Sequence, residues 1–322
     1  MLPKPPPREP SLGFIYSPPY RIQGISIAGE ATSIQVPELD VVFDMGVCPR
    51  PMLASPLCAL SHGHMDHVGG LAYYLSQRQF QGMGTGSIAC DARIEGDIRR
   101  MLEGYVGLER QRTPFELFPL EDGQSHQLKP NHYLRGFHTE HTAPSMGFVA
   151  YETRTKLKEE FVGLPQEKLV ELKKRGEEIT RSFEVPLVAY TGDTLPGSHL
   201  LRSDIRAARV VIAECTFIEK GHHKRSRIGM HMHVDDIAEW LPLLECQTLV
   251  IGHISRRSNL ADVREALAQR LSPEDMARVR VLMDHRANRQ EYDRQVAHVT
   301  QASEGNGTGD RSAQESSQAE DA

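Results

Sequence analysis

The chain has 322 residues, 39% hydrophobic and 25% charged, with a formal net charge of −6 at pH 7; this is the composition of a globular protein and excludes a collagen-like or low-complexity chain. The mild acidity excludes a globally basic nucleic-acid binder but not a local basic groove. Five scattered cysteines (Cys48, Cys58, Cys90, Cys215 and Cys246) without CxxC spacing argue against a disulfide scaffold or a Cys-type zinc site and fit a reducing cytoplasm, while no stretch approaches the roughly 20 apolar residues of a membrane span.

Residues 1–19 hold seven of the 20 prolines and no apolar signal-peptide core, which predicts an extended, flexible arm. Residues 20–300 read as one domain in which short apolar runs alternate with helical patterns. Runs at 41–43, 56–60, 187–190, 210–213 and 248–251 predict buried strands, and 116–118 and 133–137 predict two more. Residues 66–80, 91–105, 234–245 and 260–271 predict helices. In the last, Leu260, Val263, Ala266, Leu267 and Leu271 share one face behind a cap at Ser258 or Asn259, and Pro242 must bend or end the third. The mixture predicts an α/β fold of sheet covered by helices.

Residues 154–184 differ. Their charge nearly alternates, with eight Lys and Arg, and they read as a charged helical insertion, either a solvated hairpin or an arm for substrate or dimer contacts. Residues 301–322 have no apolar side chain larger than Ala. They cannot offset their ordering entropy by burial and read as a disordered acidic tail.

The chemistry concentrates in Ser61-His62-Gly63-His64-Met65-Asp66-His67, between a strand and a helix. Three imidazoles and a carboxylate within six residues suit Zn²⁺, and also Mn²⁺ or Fe²⁺. Alternating His62 and His64 point to one ion, and Asp66 and His67 reach a second. His141, Asp193 and His253 each follow a predicted strand, where ligands gather at one sheet edge. As a carboxylate, Asp193 is able to bridge two ions. His138 competes with His141 for its place. Asp44, before the metal loop, is expected to orient it through hydrogen bonds.

This HxHxDH run with the later His, Asp and His resembles the metallo-β-lactamase fold superfamily over about residues 20 to 285. The resemblance implies an αββα sandwich with a two-metal cleft. His62, His64 and His141 would bind one ion, Asp66, His67 and His253 the other, with Asp193 between them. Within the superfamily, Glu214-Cys215-Thr216-Phe217, then Gly229-Met230-His231-Met232-His233, then His253-Ile254-Ser255-Arg256-Arg257 resemble ribonuclease Z, the tRNA 3′-processing endonuclease. Ser26-Ile27-Ala28-Gly29-Glu30-Ala31-Thr32 and Lys156-Leu157-Lys158-Glu159-Glu160-Phe161-Val162-Gly163-Leu164 are similar to the short plant-type forms. Two departures stand out: residues 24–39 hold no Pro-x-Lys-x-Arg-Asn guide loop, and Ser258 stands where the family has Tyr.

The resemblance implies a metal-dependent phosphodiesterase that removes 3′ trailers from precursor tRNA, by attack of a metal-activated hydroxide on phosphorus, leaving a 3′-hydroxyl and a 5′-phosphate. Asp66, Glu214 and His231 are its candidate catalytic residues. Glu214 orients His231 as proton donor to the leaving oxygen, with His233 as the fallback. Lys224, Arg225, Arg227 and Arg257 are candidate substrate phosphate contacts. A homodimer is implied, in which residues 154–184 of one subunit hold tRNA for the other. The alternatives are a phosphodiesterase on small or cyclic nucleotides, a glyoxalase II-like thioesterase, and a non-catalytic scaffold; filled ligand positions speak against the last.

Overall fold

The computed structural model describes residues 3–315, with side chains through residue 302. Two seven-stranded mixed sheets lie face to face. The first contains, in spatial order, β1 (Gly13–Ser17), β2 (Tyr20–Ile27), β3 (Ala31–Val36), β4 (Val41–Phe43), β5 (Leu57–Leu60), β6 (Gly86–Asp91) and β7 (Phe115–Leu120). The second contains β8 (Ser125–Lys129), β9 (His132–Thr139), β10 (Ser145–Leu157), β11 (Thr180–Tyr190), β12 (Val210–Glu214), β13 (Thr248–Gly252) and β14 (Val279–Val281). In each sheet the first four strands pair antiparallel and the last four parallel.

The helices are α1 (Met65–Val68), α2 (Leu71–Phe80), α3 (Glu95–Glu109), α4 (Gln166–Lys174), α5 (Ser203–Arg206), α6 (His223–Gly229), α7 (Val234–Trp240), α8 (Leu260–Ala268), α9 (Pro273–Arg278) and α10 (His285–Glu315). Leu71 and Leu75 of α2 and Ile98 and Leu102 of α3 cover the outer face of the first sheet. Ile237 and Trp240 of α7 and Val263 and Leu267 of α8 cover that of the second. The result is the expected αββα sandwich. Its central strands read as unbroken apolar runs because both faces are buried. Val41 and Phe43 enter the layer between the sheets while Val42 faces the helices; Val210 and Ile212 against Val211 and Ala213 do the same in β12.

All seven strands read from sequence are present. Those missed, β2 and β3 above all, bury polar side chains that pair with each other: Gln23 Nε2 donates to Gln35 Oε1 at 2.7 Å. The helix expected over 66–80 is two, α1 and α2, and Asp91 closes β6 before α3 begins. The helix expected over 234–245 ends at Trp240 and continues as a 3₁₀ turn over Leu241–Leu243, centred on Pro242. Asn259 is the cap of α8, its Oδ1 accepting from the Asp262 N–H at 2.9 Å.

Three expectations need correction. Residues 1–19 are not wholly a flexible arm: Gly13–Ser17 is β1, and Phe14 packs edge-on against Tyr292 of α10 with ring centroids 5.6 Å apart. Residues 154–184 are not chiefly helical, because β10 and β11 run on as a paired ribbon from Glu152↔Val185 to Leu157↔Thr180 and only α4 is α-helical. The alternation Thr153-Arg154-Thr155-Lys156 is a period-two strand pattern rich in β-branched residues. In the expected tail, residues 301–315 continue α10, whose hydrogen-bond ladder needs no buried side chain; residues 316–322 lie outside the described residues.

Candidate metal centre

The candidate ligands gather at the strand-end edge of the sandwich, on loops except for Asp66 and His67, which lie in the first turn of α1. β5 delivers His62, β9 leads to His141, β11 to Asp193, and β13 to His253. Gly46 lets this edge close up, since a Cβ there would lie 1.8 Å from the Asp66 carbonyl oxygen. Asp44, in the left-handed region at φ 57°, turns its buried carboxylate under the metal loop. It accepts hydrogen bonds from the Ser61 N–H at 2.6 Å, the Ser61 hydroxyl at 2.8 Å and the Tyr190 hydroxyl at 2.5 Å. The fourth contact on this carboxylate is His67 Nδ1, at 2.8 Å.

The same device recurs around the ring. His62 Nδ1 lies 3.0 Å from Ser61 Oγ, His141 Nδ1 2.9 Å from the Met230 carbonyl, and His253 Nδ1 2.9 Å from Thr216 Oγ1. Thr216 Oγ1 donates its proton to Glu214 Oε2 at 2.5 Å, so it accepts from His253. With Nδ1 engaged by an outer partner, each of these rings turns its Nε2 inward, the orientation a metal ligand requires. His64 is turned the other way, its Nδ1 lying 3.3 Å from His141 Nε2.

Two donor sets result. His62, His64 and His141 bring ligand atoms within 4.8 Å of one another, and Asp66, His67 and His253 do the same. Asp193 lies between them: its Oδ2 is 3.2 Å from His253 Nε2, 3.3 Å from His67 Nε2 and 3.9 Å from His62 Nε2. Asp66 Oδ2 faces His253 Nε2 at 3.3 Å and accepts from the Gly29 N–H at 2.9 Å. The chemistry fits cations. Among the described residues, the wholly buried His62 Nε2 has no hydrogen-bond partner, a cost that a bound ion removes. Burial holds the His62 imidazole well below its ordinary pKa, so its lone pair is available. Burial works against charge on Asp193, but the neighbouring His253 and His67 outweigh it and keep the carboxylate well below its usual range.

Beside this cluster stands the second expected pair. His231 Nδ1 is 2.9 Å from Glu214 Oε1, and the His231 ring stacks on His253 with centroids 5.3 Å apart. Glu214 is fixed in turn by the Thr194 N–H at 2.9 Å. Burial opposes charge on His231, but Glu214 overrides it through charge and hydrogen bond and pushes the imidazole up to about 9. His233 is not an alternative donor. It caps α7, accepting from the Asp235 N–H, and its Nε2 contacts the Glu219 carbonyl at 2.9 Å. His138 sits apart from the cluster, with Nε2 3.5 Å from Asp91.

The four basic candidates divide. Lys224 and Arg257 are exposed. Arg225 lies 3.0 Å from His222 and over the Phe217 ring. Arg227 forks onto Asp236 at 2.8 and 2.5 Å, so a substrate phosphate would compete with a carboxylate for its guanidinium.

The family described as "Beta-lactamase superfamily domain" matches residues 57–254. Over 252 residues the chain is 32% identical to the chloroplastic tRNase Z TRZ2 of Arabidopsis thaliana, covering 77% of this chain and 71% of that one. It is 31% identical to tRNase Z TRZ1 of the same plant, covering 77% and 90%. The chain belongs to the tRNase Z family. A wheat relative, nuclear ribonuclease Z, is 33% identical over 51% of this chain and 93% of its own. Among solved structures, the short form of human tRNase Z superposes with a TM-score of 0.51 at 17% identity, covering 76% of this chain and 93% of that one. The fold protein YhfI of Bacillus subtilis gives 0.57 at 13%, covering 84% and 95%. Both show the fold.

In this tRNase Z family member, sequence reasoning missed Ser26 and the Met230 carbonyl. Ser26 Oγ accepts from the His253 N–H at 2.8 Å and so supports a residue held at φ 52°. Both lie in stretches that carry the resemblance, but their roles were not legible because each contact joins distant parts of the chain.

Proposed function

We propose that this protein is a metal-dependent endoribonuclease that removes 3′ trailers from precursor tRNA, leaving a 3′-hydroxyl on the tRNA and a 5′-phosphate on the trailer. The observation that carries the reading is the Glu214–His231 contact of 2.9 Å at the edge of a two-set donor cluster, in a chain of the tRNase Z family. His62, His64 and His141 would hold one divalent ion and Asp66, His67 and His253 the other, with Asp193 shared. When bound, such ions, Zn²⁺ by preference for this imidazole-rich set and Mn²⁺ or Fe²⁺ as substitutes, supply Lewis-acid polarisation of the phosphodiester and a more acidic water.

The chain's own residues do the rest. Asp44, Ser61, Met230 and Thr216 fix the ring orientations. Glu214 keeps His231 charged at neutral pH, and His231 protonates the departing 3′ oxygen. Exposed Lys224 and Arg257 meet phosphates flanking the cut. The reading includes a homodimer in which the β10–β11 ribbon with α4 reaches toward the second subunit's substrate. Exposed Phe183 on the ribbon, Val170 on α4 and Val162 in the connection between them support it. A reducing compartment such as the cytoplasm is supported by five cysteines that are all unpaired.

The test is cleavage of a precursor tRNA bearing a 3′ trailer by metal-loaded protein, with His64→Ala as control and both ends mapped. A single cut after the discriminator nucleotide, lost in the variant, is the expected result. No cut, with hydrolysis of a small phosphodiester intact, overturns it in favour of small or cyclic nucleotides.

A further inference from the structure

Next to the metal centre is a second cavity that none of the roles above uses. It has a volume of about 230 Å³ and lies beyond the carboxyl ends of β13 and β14, between the β2–β3 turn and the start of α8. It shares two wall residues, Ser26 and Gly252, with the shell around His253. His253 itself separates the two spaces: its imidazole joins the donor cluster, while the next residue, Ile254, lines the cavity and bridges to Ile27. Whatever occupies the cavity is therefore joined by a short reach to whatever reacts at the ions.

The lining selects the class of occupant. Ile27, Ile254, Leu260 and Met283 form an apolar floor of branched and soft side chains. Ser255 and Ser258 put hydroxyls at the rim, and among the described residues no side chain or backbone group bonds the Ser258 hydroxyl. Arg256 stands at the same rim, held by Glu30 at 2.6 Å and largely exposed, and Arg257 is exposed beside it. The volume is below the roughly 300–1,000 Å³ of sites for whole drug-sized ligands, so it suits one planar ring system rather than an entire nucleotide. An apolar floor with hydroxyls at its edge takes a flat heterocycle by its face and its exocyclic groups by their hydrogen bonds. Two guanidinium groups outside the rim suit the phosphates on either side of such a ring.

We infer that this cavity is a base-binding subsite, which takes one unstacked nucleobase of the RNA strand next to the scissile phosphate while Arg256 and Arg257 hold the adjoining backbone. The inference rests on the endoribonuclease reading above and names the part of the substrate that this side of the cleft grips. The apolar lining takes the face of any base, so the subsite demands first of all that a base be present.

The experiment is an abasic scan. A precursor RNA series carries a single abasic nucleotide at successive positions across the cut, and metal-loaded full-length protein is assayed on each. One position close to the cut is expected to raise KM about tenfold, the loss that follows when the face of a base is no longer buried. Ser258→Tyr, which fills the cavity, is expected to raise KM on the intact RNA by a similar factor and to abolish the sensitivity at that position. Its metal content and melting temperature should match the parent's, which separates loss of the subsite from loss of the fold. Cleavage with a flat scan in the parent protein overturns the subsite alone, as does a Ser258→Tyr variant that keeps the parent's scan. Absence of any RNA cut alongside normal turnover of a small phosphodiester overturns the endoribonuclease reading and takes the subsite with it.

Discussion

Asp44 and His67 are both wholly buried and meet at 2.8 Å, Oδ2 to Nδ1. Three other groups also point at this carboxylate, so one side chain sets the position of the metal loop. Asp44→Ala is expected to weaken metal affinity and activity by about 10- to 100-fold, the usual cost of losing such an outer partner. Chelator competition and metal content per chain measure it; unchanged occupancy with full activity would show that Asp44 does not orient the loop.

His231→Ala should lower kcat on RNA by about 10²- to 10⁴-fold, the range for a lost general acid. On a p-nitrophenyl phosphodiester, whose leaving group needs no proton, the loss should be far smaller. Equal losses on both substrates would mean that His231 does something other than protonate the leaving oxygen.

The pH profile follows from the same pair. As the proposed proton donor, His231 would act in its protonated form, and it is pushed up to about 9, so kcat on RNA should fall as pH rises through about 9. Burial alone lowers this imidazole, and Glu214 supplies the opposing charge and hydrogen bond. Glu214→Gln therefore moves the alkaline limb to lower pH. A limb that stays in place in the variant assigns it to another group.

Arg227 and Lys224 sit on the same short helix but should behave differently. Arg227 ties α6 to Asp236, and Asp236 Oδ2 also accepts from the His233 N–H at 2.7 Å. Arg227→Ala should loosen the segment carrying His231 and lower kcat with little change in the salt dependence of RNA binding. Lys224→Ala should leave kcat intact and reduce the slope of log affinity against log salt by about one. A reduced salt slope in Arg227→Ala would return that residue to the substrate contacts.

Removing metal should abolish activity and lower the melting temperature, because ions that bind only the folded chain add to its stability by mass action. A calorimetric comparison with and without chelator checks this; a melting temperature indifferent to metal would show that the donor cluster does not bind ions tightly.

How much of this was legible in the sequence depends on the range of each signal. The HxHxDH run lies within six residues, and His141, Asp193 and His253 each follow an apolar run, so the side chains that the structure gathers into one cluster could be named one by one. Val41–Phe43 and Val210–Glu214 were legible for the same reason, since a strand covered on both faces writes itself as an apolar run. β2 and β3 were hidden because Gln23 and Gln35 satisfy one another across the sheet, a pairing that hydrophobic pattern does not record. Residues 154–184 misled because charge drew attention away from their period-two alternation. The Arg227–Asp236 pair was not legible: a basic run announces its charges but not which of them already carry a partner.

The donor cluster draws on both sheets. His62, His64, Asp66 and His67 come from the chain before the β7–β8 junction, and His141, Asp193 and His253 from the chain after it. Neither half of the sandwich carries a complete set, and Gly29 from one half supports Asp66 while Ser26 from the same half reaches across to His253. A nascent or half-denatured chain therefore presents only part of the donor set, which is assembled when the two halves of the sandwich close on each other.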